Sequence, residues 1–170
     1  MSSTFKDRLR QIRDASSRQS AIQLKLRSEE DLIRSQRTVR AFEFREQVEE
    51  VIDRLADSFQ AEAPCFVLTR GFFEGKYMLA LRFDEEALRE DGRTERTFSR
   101  VLFLLAPHAD DETFSAQCKK TIRHRDLETM PISVAMSEEG LATLSTFIDE
   151  QFIAFAKAYF EPSAPNPVQT

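Results

Sequence analysis

From Phe5 to Ala61 the chain contains no glycine and no proline. Both residues interrupt helices, one through backbone entropy and the other through a missing N–H and a steric clash. More than fifty residues without either favour helix over nearly the whole stretch. The second half carries the better apolar pattern: Ala41, Phe44, Val48, Val51, Leu55 and Ser58 recur at alternating steps of three and four, with Ile52 and Phe59 widening the stripe. This part is expected to lie on a core. The first half is sparser. Phe5, Leu9 and Ile12 form one short stripe, Ile22, Leu26 and Ile33 another, and Ser16, Ser17, Gln19 and Ser20 lie between them, where the helix either continues or breaks.

Pro64 ends this helix and restricts Ala63 before it. Strand patterns follow. Phe66–Phe72 and Lys76–Phe83 read as a hairpin joined through Phe73, Glu74 and Gly75. Residues 84–97 are highly charged and contain Asp91-Gly92, so they form either a protruding hairpin or a short helix around Glu85–Glu90. Phe98–Leu105 is apolar enough for a central strand. Thr113–Arg123 alternates, with Phe114, Ala116, Cys118 and Ile122 on one face and Ser115, Gln117, Lys119, Thr121 and Arg123 on a wet one. The last strand, about Leu127–Met136, contains Pro131 and therefore belongs at an edge or at a bulge. Ser137 is a helix cap with Glu138 and Glu139 in the first turn. Leu141, Leu144, Phe147, Ile148, Phe152, Phe155 and Tyr159 form the apolar face of the helix it opens.

The expected fold class is α+β: a long N-terminal helix, a four- to five-stranded antiparallel meander sheet, and a C-terminal helix packed on one face. Residues 1–40 are expected to form a projecting helical arm, 41–161 a globular domain and 162–170 a flexible tail. At 1.5 Å per residue the uninterrupted helix would extend roughly 80 Å. The remaining residues make a globule with a radius of gyration of about 13 Å, too small to cover it.

Charge is distributed unevenly. Residues 1–40 hold ten Lys/Arg against five Asp/Glu, a balance of +5, and residues 41–64 hold two against seven, a balance of −5. The basic block could follow phosphates, but Asp7, Asp14, Glu29, Glu30 and Asp31 are interspersed, and no aromatic residue lies between Phe5 and Phe42. A solvated or partner-facing helix is the commoner meaning of mixed charge.

The chemistry-bearing residues do not assemble into a recognised motif. His108, Asp110, Asp111 and Glu112 match no closed metal-ligand spacing and read as turn material. Cys118 and His124 are six residues apart along a strand, roughly 20 Å at 3.3 Å per residue, too far for a nucleophile and its base. With four glycines there is no phosphate-cradling loop. No cofactor and no metal is expected. Neither a secretory signal nor a membrane span is visible, and two cysteines read as reduced thiols, so a cytoplasmic location is expected. The sequence points to a non-enzymatic binding, scaffold or adaptor protein. It would associate, as in a coiled coil, through Phe5, Leu9, Ile12, Ile22, Leu26 and Ile33, with a protein partner or as a homo-oligomer, a dimer being simplest. A nucleic-acid-binding arm, or an enzyme whose site only the fold assembles, is the alternative.

Overall fold

The computed structural model describes residues 4–161, so the tail expected from 162 onward lies outside them. The chain divides into two compact units, residues 1–39 and 40–170. Helix α1, Phe5–Glu62, supplies all the described secondary structure of the first unit and opens the second. Before its first turn, the Thr4 backbone N–H donates to Asp7 Oδ2 at 3.2 Å. The helix runs through the serine-rich stretch without a break. There the Ser20 hydroxyl donates to the Ser16 carbonyl at 3.0 Å, which satisfies the side chain inside the helical geometry.

In the second unit the buried line of α1 is Ala41, Phe44, Val48, Ile52, Ala56 and Phe59. The expected line is corrected by this: Val51 and Leu55 are half-buried on its flank, and Ser58 is exposed. The physical reason is the period. Alternating three- and four-residue steps repeat every seven residues and drift around a helix with 3.6 residues per turn, whereas steps of four at Val48, Ile52 and Ala56 restore the line.

Five antiparallel strand positions follow as an open meander, β1 (Val67–Phe73), β2 (Lys76–Leu88), β3 (Thr94–His108), β4 (Thr113–Ile122) and a divided edge. The first turn is two residues, Glu74 and Gly75, with Phe73 paired to Lys76 and φ of 50° and 76°. Such turns match the twist of the strands they join. Residues 84–97 form the hairpin rather than the short helix: pairing continues to Leu88 and Thr94 across Asp91-Gly92, where Gly92 has φ 79°. Cross-strand pairs hold it in register, Glu86 with Arg96 at 2.7 Å among them. A second left-handed pair, Arg123 and His124, turns β4 back on itself.

The edge position is shared by β5 (Arg125–Asp126) and β6 (Met130–Ala135), which both pair with β4. Thr121 pairs with Asp126 but Cys118 with Met130, so the returning strand carries one extra residue between them, a bulge. The last strand, expected over about Leu127–Met136, therefore starts at Met130, and the two-residue β5 lies before it, where a turn was expected. Pro131 sits on this edge opposite Gln117, where its missing N–H interrupts no further ladder. Ser137 then caps α2 (Glu138–Phe160), its hydroxyl accepting the Gly140 N–H at 3.1 Å.

One face of the sheet and the buried sides of α2 and of α1 from Ala41 onward share a core rich in phenylalanine. Phe66 is central to one end of it, with Phe59, Phe83, Phe155 and Tyr159 rings at 5.0–5.8 Å. The opposite face of the sheet keeps a small apolar patch of Ala80, Leu102 and Leu104.

Candidate interaction surface

The six residues singled out on the arm all face solvent. Phe5, Leu9, Ile12, Ile22, Leu26 and Ile33 are between 49% and 76% exposed. From Thr4 to Val39 only Arg37 is even half-buried. Phe5, Leu9 and Ile12 share one side of the helix by spacing, and Ile22, Leu26 and Ile33 share a line about a quarter-turn around it. A further set was passed over in the sequence: Leu24, Leu32, Val39 and, in the second unit, Phe42 are also about half exposed or more. Ala21, Ser28 and Ser35 fill the same line at steps of three and four. In a helix seam small residues allow close approach, and that spacing stood in the sequence.

The side of α1 left exposed beyond Val39 is acidic. Glu43, Glu46, Glu50 and Asp57 lie on it, while Asp53 is engaged by Arg70, and Glu49 by Arg45 at 3.8 Å. Arg45 also lies over the Tyr77 ring at 3.9 Å and the Phe42 ring at 4.8 Å.

The remaining candidates do not converge. His108 contacts the Ser115 hydroxyl at 3.2 Å, and Glu112 accepts from Arg40 at 3.0 Å. Among the described residues no group of three or more His, Cys, Asp or Glu side chains is placed to hold a metal ion. Cys118 is buried opposite Phe103, and His124 sits at the far end of β3, its ring on the Arg96 carbonyl at 2.8 Å and edge-on to Phe98. Burial pushes the Cys118 thiol up to about 12, with neighbouring Lys120 opposing the shift. A thiol so held is a poor nucleophile. A thiol reagent at neutral pH is therefore expected to label one cysteine, exposed Cys65, in the native protein and both in denaturant. Rapid native labelling of Cys118 would show that the β4 face opens.

Two polar groups inside the second unit escaped the sequence reading. Lys120 lies on the core side of β4, its Nζ donating to the side-chain carbonyl of Gln151 on α2. Tyr159 donates to Glu85 at 3.1 Å beneath the Arg123 guanidinium. Burial first and the Glu85 carboxylate second raise its phenol to about 12. Thr121, expected on the wet face, is buried and donates to Asp126 at 2.8 Å. An open depression of about 420 Å³ on the outer face of the sheet, bordered by Lys76, Leu104, Gln117 and Ser133, contains no carboxylate, histidine or thiol.

No described helix is long and apolar enough to cross a membrane. Comparison of the chain with protein-family models, with curated proteins and with solved structures finds no match.

Proposed function

We propose that this chain is a non-enzymatic scaffold or adaptor that associates with another protein chain through its N-terminal helix. The observation that carries the reading is the exposure of every large apolar side chain between Phe5 and Val39. A solitary helix of that kind gains nothing from its apolar residues in water and frays, because helices in proteins draw most of their stability from tertiary contacts. A second chain supplies those contacts. The simplest closed assembly is a homodimer, and a cytoplasmic setting fits the two free thiols.

The basic block of the arm favours nucleic acid as a second reading. Against it stand the acids at Asp7, Asp14 and Glu29–Asp31, and the lack of an aromatic stacking side chain between Phe5 and Phe42. Binding of that kind would fall steeply with salt.

Light scattering on the full chain and on a version lacking residues 1–35 tests the main reading. The full chain is expected at twice its 19.6 kDa or more. The shortened chain is expected to be a folded monomer, because the core begins at Ala41. A monomeric mass for both would reject self-association through the arm.

A further inference from the structure

The line of arm residues passed over in the sequence has chemistry that reverses along its length. At steps of three and four residues it begins with Lys6, Arg10 and Arg13. It continues through small and apolar residues from Ser17 to Phe42, and ends in Glu46, Glu50, Asp53 (which Arg70 engages) and Asp57. The steps are fours and threes in nearly the ratio that 3.6 residues per turn requires.

The steps from Lys6 to Ser28 are repeated, read backwards, from Asp57 to Ser35. Turned end for end about a point between Asp31 and Leu32, the positions on either side of the centre superpose, Leu32 falls opposite Asp31, and the two ends meet with opposite charge. Lys6 falls opposite Asp57, and Arg13 opposite Glu50. Ala21 meets Phe42, a small residue against a large one. Leu24 meets Val39, and Ser28 meets Ser35.

We infer that α1 pairs with the α1 of a second copy in antiparallel orientation along this line. The basic arm of each copy then lies on the exposed acidic side of the other. This inference rests on the reading of the arm as an association element, and adds its partner, seam and direction.

The charge balance favours that direction over the parallel one. Residues 6–18 hold five Lys/Arg and two Asp, a balance of +3. Residues 45–57, which they meet, hold two Arg and five Asp/Glu, a balance of −3. A parallel pair in register would set like balances against each other. Within one chain the same layout opposes the helix dipole: the last turn of α1 carries no basic residue, and its second half is acidic. In an antiparallel pair the basic N-terminal stretch of each helix lies beside the acidic C-terminal stretch of the other. The Phe5, Leu9, Ile12 and Ile22, Leu26, Ile33 lines are on other sides of the helix, open to a further protein partner.

Sedimentation equilibrium of the full chain with reversed charges tests the seam. Lys6→Glu with Arg13→Glu, or Glu50→Lys with Asp57→Lys, is expected to raise the dimer Kd by about tenfold or more, since each dimer then carries four like-charge contacts in place of four opposite ones. All four changes in one chain are expected to return it to within about threefold of the starting value, because every opposed pair is opposite again. In a Cys65→Ser background, oxidation of a chain carrying both Ser28→Cys and Ser35→Cys is expected to join position 28 of one copy to position 35 of the other. If the dimer ignores both reversals, if the fourfold change gives no recovery, or if linkages run 28 to 28 and 35 to 35, the antiparallel seam is wrong while arm-mediated association stands. A full chain that is monomeric at every concentration removes both.

Discussion

Phe66→Ala is expected to destabilise the second unit by about 3–5 kcal/mol, the range for deleting a buried phenylalanine ring. Phe66 is 1% exposed at the junction where α1 hands over to β1. Its ring is edge-on to Phe59 of α1 and to Phe155 and Tyr159 of α2, and touches Phe83 of β2. Removing it separates three elements at once, and the four neighbouring rings are too rigid to refill the space. Urea unfolding checks this: the midpoint should fall sharply with the slope unchanged. Leu55→Ala should cost less, since Leu55 is half-buried on the flank of the helix. Equal costs at the two positions would mean that the core is centred elsewhere along α1.

Gln151→Leu is expected to have the second largest effect, about 3 kcal/mol, although leucine is the more apolar residue. The reason is Lys120, whose amine is buried on the core side of β4 and donates to the Gln151 carbonyl. No carboxylate among the described residues lies within ion-pair distance of it. Without Gln151 the amine has lost both water and its acceptor. Combining Gln151→Leu with Lys120→Met removes donor and acceptor together and should restore stability to within about 1 kcal/mol of the natural chain. A double-mutant cycle in urea measures the coupling. Additive losses would show that the two side chains do not depend on each other.

Lys120 also shows where sequence reading stops. The alternation of β4 was legible from Phe114, Ala116, Cys118 and Ile122, and lysine at the intervening core position could be recognised only with its partner thirty-one residues away on another element. Local signals carried the elements themselves. The breaker-free run pointed to α1, Gly75 marked one hairpin turn, Asp91-Gly92 left a hairpin and a short helix open, and Pro131 pointed to an edge or a bulge. What depends on three-dimensional packing was less legible: the buried line through Ile52 and Ala56, and the burial of Thr121. On the arm, the six residues read from apolar spacing are all exposed, but their spacing alone does not say which chain would cover them. The second line was passed over because its small members, Ala21, Ser28 and Ser35, carry little apolar signal of their own.

Hydrogen exchange read along the chain at two protein concentrations tests most directly whether another chain covers the arm. An uncovered helix of this composition opens constantly, while one packed against a second chain opens only with the assembly. Amides of residues 9–39 are expected to be protected at high concentration and to lose that protection on dilution, while those of β2, β3 and β4 stay protected throughout. Fast exchange of the arm at every concentration, or equal protection in the dilute monomer, would contradict association through α1.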